Sequence, residues 1–220
     1  MSGSEPGGKG IHHRDPADAL QRAAEWAGTT LDAQQLRSLV AYADWLIEEA
    51  IPAGGLGPDE AERIFDRHVA DSLVFGAGWN QSPATLIDVG SGVGLPGIPL
   101  AIAAPEISVT LLDRSQRRTD LARRAIRILA LEGVSVVTGD ADNHYERYTA
   151  AVFRASYPPD RALAAAGRLL EPNGVAVIGL RRGQEPPSIP EATPDTEIEI
   201  LKTDEGVLDS PAWHLRMTVR

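Results

Sequence analysis

An aspartate and four glycines lie close together in the stretch I-D-V-G-S-G-V-G-L-P-G, residues 87–97. Asp88 ends an apolar run, and Gly90, Gly92 and Gly94 alternate after it. Because glycine allows positive φ and lets a ligand touch the backbone, this spacing indicates a binding loop between a strand and a helix. A carboxylate at this point repels a pyrophosphate but suits an ammonium group. We therefore expect S-adenosylmethionine, which has an ammonium group and no phosphate, rather than a dinucleotide.

Two more acidic positions follow the next two apolar runs. Asp113 ends the run 109–113, 25 residues after Asp88, where a carboxylate can accept both hydroxyl groups of a ribose. Asp142 follows the run 134–138, where a side chain can meet an adenine amino group. Two other interpretations stay open: the glycines make only tight turns while the aspartates cap helices, or Asp142 is a solvated surface residue.

These acidic positions need strands that end at one edge of a sheet. Short apolar runs that predict buried parallel strands lie at 84–89, 109–113, 134–138, 150–154 and 175–180. Helical patterns separate them, from the glycine loop through Ala101, over 115–131 and over 160–170, and E-P-N-G at 171–174 predicts a turn. This alternation is typical of a doubly wound α/β sheet. The runs 196–201 and 213–219 suit a terminal antiparallel pair.

The first part of the chain predicts a helical extension over residues 17–80. Apolar residues at helical spacing indicate two helices broken near 28–30 and another that begins at Pro58. The strand–helix alternation then defines the cofactor-binding domain over 81–220.

Two segments carry too little apolar content for a packed element. Residues 1–16 predict a disordered tail, in which His12 and His13 are solvated rather than metal-bound. The proline-rich stretch 185–194 predicts a linker or loop. We expect no metal site.

The composition limits the class of protein. Among 220 residues there is no cysteine, which excludes disulfides, thiolate metal sites and a covalent cysteine route. The net charge of -10 argues weakly against nucleic acid, but residues 81–183 carry 12 basic and 10 acidic groups. No apolar run approaches the roughly 18 residues of a membrane span, and the N-terminus lacks a secretory pattern, so we expect a cytoplasmic protein without a membrane partner.

The glycine loop with its L-P-G-I-P-L-A-I continuation, and the L-L-D that follows downstream, resemble the glucose-inhibited division protein B family. Residues 67–73 match its R-H-x-x-D-S-L block, and Arg154-Ala155 matches its S-R-A block. The resemblance spans about 36–183. It implies a bacterial, cytoplasmic 16S ribosomal RNA guanine-N7 methyltransferase that uses S-adenosylmethionine. It also implies a class I, Rossmann-like sheet of seven strands.

The chain departs from the family pattern at several motifs. An N-L-T motif is replaced by I-P-A-G-G-L-G, and L-L-D-S, G-R-A-E, S-R-A-F and L-K-G become Leu112-Asp113-Arg114, Gly139–Asp142, Phe153–Ser156 and Leu180–Gly183. The motifs that the resemblance assigns to cofactor binding match the family more closely than those it assigns to substrate binding. The methyl acceptor therefore stays open: another RNA, a small molecule, or no acceptor at all in a non-catalytic cofactor-binding protein.

The residues and the resemblance together define the candidate site. The predicted cofactor-binding residues are Asp88, Gly90, Ser91, Gly92, Gly94, Leu95, Asp113, Arg114, Ala141, Asp142 and Arg154. The predicted substrate-binding residues are Arg67, His68, Arg181 and Arg182, and Arg154 is the predicted catalytic residue. The predicted partner is ribosomal RNA or the small ribosomal subunit, bound by a monomer. Because guanine N7 has a free lone pair and no proton, the reaction needs alignment rather than a strong base.

Several of these residues have a purely structural alternative. Arg154 either binds guanine O6 or a phosphate, or pairs with Asp88 or Asp71. Arg67 and Asp71, at i and i+4, form either a lid or a wall of the cofactor pocket, or only a helical salt bridge. For His68, packing or capping is the alternative to a direct role.

The predicted helix 115–131 is the most basic element. Arg117, Arg123, Arg124 and Arg127 lie on one side, either on RNA or in solvent. Few aromatic residues are available to stack on bases; the candidates near the site are Tyr145, Tyr148 and Tyr157.

Overall fold

The structure, a computed structural model, describes residues 16–79, 81–182 and 194–220. Seven strands in these ranges form one sheet: β1 Thr85–Val89, β2 Ser108–Asp113, β3 Val134–Thr138, β4 Tyr148–Phe153, β5 Leu170–Gly179, β6 Thr196–Lys202 and β7 Trp213–Val219. The order is β3-β2-β1-β4-β5-β7-β6. The first five strands are parallel, and β7 is antiparallel to both of its neighbours. This confirms the predicted doubly wound sheet with its antiparallel pair.

Helices cover both faces of the parallel strands, which is why those strands are apolar on both sides. The helices between strands are α4 Gly97–Ala103, α5 Gln116–Ile128 and α6 Pro159–Leu169. The side chain of Ser115 caps α5 by accepting a hydrogen bond from the Arg118 N–H. β4 ends at Phe153, one residue earlier than predicted, so Arg154 begins the following loop.

The predicted turn at 171–174 lies inside β5 as an irregularity of the pairing. Leu170 pairs with Tyr148, but the next pair joins Ala150 to Val175. Asn173 takes up the extra length with a left-handed φ of 64°. The turn residues thus form a bulge between two paired parts of one strand rather than the start of a new element.

The N-terminal part is helical, as predicted. α1 spans Pro16–Trp26 and α2 spans Ala33–Trp45, so the break falls near the expected glycine. The Asp32 carboxylate accepts hydrogen bonds from the N–H groups of Gln34 and Gln35, and the Gln35 side chain accepts one from Asp32. This capping box fixes the start of α2.

From Pro58 a helical segment runs to residue 78 and changes form along its length. A 3-10 turn at Pro58–Arg63 leads into a π-helical stretch at Ile64–Ala70, which passes through α3 Asp71–Leu73 into a second 3-10 turn at Val74–Gly78. We call residues 58–78 the mixed helix. It carries the predicted R-H-x-x-D-S-L block.

The N-terminal helices share a hydrophobic core with one face of the sheet. Leu39 and Tyr42 of α2 lie in the same cluster as Ile98 of α4 and Leu111 of β2. A second cluster on the other face surrounds α6 and includes Ile87. The division into an extension and a domain at residue 80 stays a prediction.

Some predictions fall outside the described residues, namely the tail over 1–15 with its two histidines and the linker over 185–193. Pro16, assigned to the tail, is instead the first residue of α1. In the ranges that are described, no helix is long and apolar enough to cross a membrane. Nor do these ranges bring together three histidine or acidic side chains that could hold a metal ion.

Candidate active site

The glycine loop after β1 crosses the carboxyl end of β2. The N–H groups of Gly90 and Ser91 donate to the Leu112 carbonyl at 2.7 and 3.1 Å. The Gly92 N–H donates to Asp113 Oδ2 at 2.9 Å. Gly90 and Gly92 have φ of 75° and 58°, which side chains rarely adopt. The loop therefore holds its shape through backbone bonds and brings Asp113 beside it.

Asp88 lies fully buried beneath this loop and is only half satisfied. Its Oδ2 accepts the Gly97 N–H at 2.7 Å, while its Oδ1 and the hydroxyl of Ser91 are buried without a partner among the described residues. Burial raises the pKa of Asp88 to about 7. Because buried polar atoms are normally hydrogen-bonded, the free oxygens fit a ligand with an ammonium group. The residues present thus fit S-adenosylmethionine.

Asp113 is buried at the end of β2. Its Oδ1 accepts the Ser115 N–H at 2.8 Å and pairs with the Arg118 guanidinium at 3.0 Å. Its Oδ2 accepts the Gly92 N–H. These bonds fix the carboxylate, and its remaining lone pairs are available for ribose hydroxyls.

A cavity of about 310 Å³ opens at the carboxyl ends of β1, β2 and β3. We call it the donor cavity. The predicted cofactor residues in its lining are Gly90, Asp113, Arg114 and Ala141. Ser91, Gly92, Gly94 and Leu95 belong to the glycine loop, and Asp88 lies near the end of β1; none of these five residues is part of the lining. At Gly94 a side chain would meet Ile98, so this glycine serves packing within the loop.

The side chain of Asp142 lies outside the donor cavity. It is exposed and pairs with Arg161 at 3.0 Å and Arg168 at 3.1 Å. Asp140 lines the cavity instead, and the Tyr157 hydroxyl donates to it at 3.4 Å. A hydrogen bond from the Asp142 N–H lowers the pKa of Asp140. The surface interpretation of the Asp142 side chain is therefore correct, and Asp140 is the carboxylate that faces the cavity.

A second and larger cavity, of about 860 Å³, adjoins the first. We call it the acceptor cavity. Both cavities are lined by Ala155–Pro158, so this segment forms the wall between them. The acceptor cavity combines apolar and basic side chains, namely Phe75, Leu180, Trp213, Arg67, Arg154, Arg181 and Arg182. Such a mixture suits a planar, partly charged ligand.

Arg154 is held at the acceptor cavity by groups of the mixed helix. Its Nη1 lies 3.6 Å from Asp71 Oδ2 and donates to the Arg67 carbonyl at 3.4 Å. Of the two ion pairs considered from the sequence, only the one with Asp71 is formed. The charge of Arg154 still acts on Asp88, whose pKa it lowers against the larger effect of burial.

His68 lies between Glu60 and Arg154. Its Nε2 lies 2.8 Å from Glu60 Oε2, and its Nδ1 faces the Arg154 guanidinium at 3.4 Å. Burial, followed by the charge of Arg154, lowers the pKa of His68. With Nε2 donating to Glu60, the neutral imidazole has Nδ1 free to accept from Arg154.

Of the alternatives considered for Arg67 and Asp71, the helical salt bridge between them is not formed. Asp71 pairs with Arg154 and Arg182, while Arg67 lies 3.9 Å from Asp209 Oδ2. The two guanidinium groups that reach Asp71 are largely buried, so they gain more from a carboxylate than the more exposed Arg67 does.

Asp209 is a site residue that sequence analysis missed. It lies between β6 and β7, and its carboxylate also receives Arg182 Nη1 at 2.5 Å. Arg182 thus spans Asp71 and Asp209 with two nitrogens, a fork that a lysine cannot form. Nothing in the local sequence signals that this surface aspartate reaches the mixed helix. Arg181, the neighbour of Arg182, is exposed.

The basic helix α5 is partly engaged with the protein itself. Arg123 donates to the Val136 carbonyl at 3.2 Å, and Arg124 pairs with Glu49 at 2.7 Å. Arg117 and Arg127 are exposed. The solvated interpretation therefore fits only part of this face.

Of the three tyrosines considered, only Tyr157 lines the cavities. Tyr148 is buried at the start of β4, the end opposite to the site. Tyr145 precedes it and is 83% exposed.

Comparison with known proteins shows which family the sequence belongs to. The sequence profile described as GidB, rRNA small subunit methyltransferase G, matches residues 35–188. Relatives that carry the name ribosomal RNA small subunit methyltransferase G include one from Acidothermus cellulolyticus, 36% identical over 168 residues, which cover 72% of this chain and 75% of that protein. A relative from Mycolicibacterium gilvum is 37% identical over 177 residues, 77% of this chain and 74% of that protein.

Solved structures agree on the fold. The structure of TrmN from Thermus thermophilus is similar with a TM-score of 0.51 and 16% identity, over 68% of this chain and 49% of that one. At this identity the likeness speaks for the fold alone. The sequence matches carry the assignment: the chain belongs to the rRNA small subunit methyltransferase G family.

Proposed function

We propose that this protein transfers the methyl group of S-adenosylmethionine to N7 of a guanine in 16S ribosomal RNA. The observation that carries the proposal is the pair of adjoining cavities. The donor cavity is lined by Gly90 of the glycine loop, beneath which lies the buried, half-satisfied carboxylate of Asp88. The acceptor cavity is lined by arginines, and the segment Ala155–Pro158 lines both. Membership of the family supports the choice of a small-subunit ribosomal RNA as acceptor.

On the donor side, the chain holds the two polar ends of the cofactor. Asp88 and Ser91 would bind the ammonium group, and Asp113 would accept the ribose hydroxyls. Asp140 and Ala141 lie where the adenine would meet the end of β3. When bound, S-adenosylmethionine supplies a methyl group on a sulfonium sulfur, which is already activated for transfer.

On the acceptor side, the chain aligns a nucleophile that needs no deprotonation. Guanine N7 carries a lone pair, so the contribution of the protein is position. Arg154 can donate to guanine O6, next to N7, because its guanidinium is fixed by Asp71 and His68. Phe75 and Trp213 give the cavity apolar surfaces for the base. Arg67, Arg181 and Arg182 are the groups that we assign to phosphate contacts.

We propose that the protein acts as a monomer in the cytoplasm, on ribosomal RNA or on the small subunit. A second candidate, methylation of a small molecule, is favoured by one observation. Three of the four arginines at the acceptor cavity are already paired with Asp71 or Asp209, which reduces their attraction for an RNA backbone.

The test is to incubate the protein with labelled S-adenosylmethionine and undermethylated small subunits, digest the RNA and measure label in 7-methylguanosine. Label there, absent with Asp88→Asn, supports the proposal. A protein that binds the cofactor but labels no RNA would point to the small-molecule candidate. A protein that binds no cofactor contradicts both.

A further inference from the structure

Ser156 lies in the wall that separates the cavities and lines both of them. It follows Ala155, whose φ of 51° is left-handed and rare for a residue with a side chain. The Ser156 side chain then lies over Gly90: a Cβ on Gly90 would overlap the Cβ of Ser156 and lie 3.3 Å from its hydroxyl. The hydroxyl therefore sits against the glycine loop.

The Ser156 hydroxyl is buried and has no hydrogen-bond partner in the part of the chain that the structure describes. Asp88 Oδ1 and the Ser91 hydroxyl share this condition and lie on either side of Gly90 in the chain, Asp88 near the end of β1 and Ser91 in the loop. Three unsatisfied buried oxygens around one glycine are unusual, because buried polar atoms are normally bonded. An ammonium group has three N–H donors, which matches this number of acceptors.

We infer that Ser156 is a positioning residue for the amino-acid end of S-adenosylmethionine, whose ammonium group its hydroxyl binds together with Asp88. This inference rests on the proposed function, since it requires that cofactor. It concerns a departure of this chain, because the family resemblance has phenylalanine in S-R-A-F where Ser156 stands. A phenyl ring has no oxygen to offer.

The contact between Ser156 and the ammonium group should also help to align the methyl donor, because Ser156 lies in the wall between the two cavities. Asp113 holds the ribose on one side of the donor cavity, and Ser156 holds the amino-acid end at the wall toward the acceptor cavity. Fixing both ends restricts the cofactor relative to the incoming base, which is what alignment of a methyl donor needs.

Calorimetric titration of the full-length protein tests the inference with three ligands. S-adenosylmethionine and S-adenosylhomocysteine carry the amino-acid end, and 5′-methylthioadenosine lacks it. For Ser156→Ala we expect the affinity for the first two to fall about tenfold, with no change for the third. The matched control is Ser82→Ala, which removes an exposed hydroxyl bonded to Glu106 and should change none of the three.

Equal affinities of Ser156→Ala and the unsubstituted protein for S-adenosylhomocysteine would overturn the inference and leave the proposed function intact. An equal loss for all three ligands would also overturn it, because the serine would then only shape the cavity. Failure of the unsubstituted protein to bind S-adenosylmethionine would instead sink the proposed function itself.

Discussion

The donor and acceptor cavities share a wall but are built in different ways. The donor cavity rests on backbone: one loop after β1 bonds to the end of β2, and the acidic side chains follow consecutive strands. The acceptor cavity rests on side chains from distant parts of the chain, where Arg154, Arg182 and Asp209 meet the mixed helix. Local backbone geometry is encoded in a short motif, whereas a side-chain network depends on the whole fold.

The two cavities also differ in how their charges are satisfied. In the described ranges, the Ser156 hydroxyl at the donor cavity, and the Asp88 Oδ1 and Ser91 hydroxyl next to its lining residue Gly90, have no hydrogen-bond partner. At the acceptor cavity three of the four arginines are already in ion pairs. The donor cavity thus has unpaired acceptors for its ligand. At the acceptor cavity the arginines must leave their aspartate partners before they can bind RNA phosphates. Substitutions in the two halves should therefore affect different measurements.

The largest effect should come from Asp88→Asn. The amide keeps an acceptor for the Gly97 N–H but loses the charge that an ammonium group requires. We expect the affinity for S-adenosylmethionine, measured by calorimetry, to fall about 100-fold. Asp142→Asn is the matched control and should leave the affinity unchanged, because its carboxylate lies outside the cavity. Wild-type affinity in Asp88→Asn would show that the carboxylate does not contact the cofactor.

Arg154→Lys should separate the two halves most clearly. A lysine keeps the positive charge near Asp71 but loses the planar fork and the contact to His68. We expect the single-turnover rate of methylation to fall about 100-fold while cofactor affinity stays within twofold. Arg220→Lys, at an exposed arginine that pairs with Glu197 of β6 and lines neither cavity, provides the control. A parallel loss of cofactor affinity would assign Arg154 to the donor half instead.

The pH dependence should follow from the raised pKa of Asp88, about 7. An ammonium group needs the ionised carboxylate, so affinity for S-adenosylmethionine should fall about tenfold per pH unit below 7. The free energy of unfolding of the cofactor-free protein should instead be higher at low pH. Burial favours the protonated carboxyl group. The contribution of Asp88 to the free energy of unfolding is therefore fully present below pH 4, near its ordinary pKa of 3.8, and is lost as the pH rises through its raised pKa of about 7. Titrations and denaturant unfolding between pH 5 and 8 measure both, and Asp88→Asn should flatten both curves.

Tyr42→Phe should weaken the support of the donor loop from the helical extension. The Tyr42 hydroxyl, fully buried on α2, donates to the Val93 carbonyl at 3.1 Å. Its loss should lower the free energy of unfolding by about 1 kcal/mol, measured in urea. Tyr145→Phe, at an exposed tyrosine, should change nothing. An unchanged stability in Tyr42→Phe would mean that the loop holds itself through its bonds to β2.

The smallest effect should come from Asp209→Asn. The substitution frees Arg67 and Arg182 from a partly exposed carboxylate, so RNA phosphates can bind them without competition. We expect RNA affinity to rise about threefold, with a steeper dependence on salt. Asp204→Asn in the same loop is the control, since Asp204 is exposed and makes no ion pair among the described residues. A lower RNA affinity would mean that Asp209 positions the arginines rather than masking them.

Sequence patterns predicted the donor half more fully than the acceptor half. The strand ends at Asp113 and Thr138 and the glycine loop followed from apolar runs and spacing alone. Asp142 was the exception, because two acidic residues flank Ala141 and spacing cannot tell which one faces the cavity. The prediction that Tyr148 lies near the site was wrong for a similar reason. Its distance from the site depends on which end of β4 it occupies, and it occupies the far end.

The sequence by itself determined the class of fold, the order of strands and helices, and the loop that can receive a cofactor. These depend on local periodicity and on glycine, whose effects act within a few residues. Only the tertiary structure decided which carboxylate pairs with which arginine. Asp209 pairs with Arg67, although the two are far apart in the sequence. Asp71 pairs with Arg182 rather than with Arg67, which lies one turn away in the same helix. Such choices depend on relative burial and on competition among several partners, and neither quantity exists before the chain has folded.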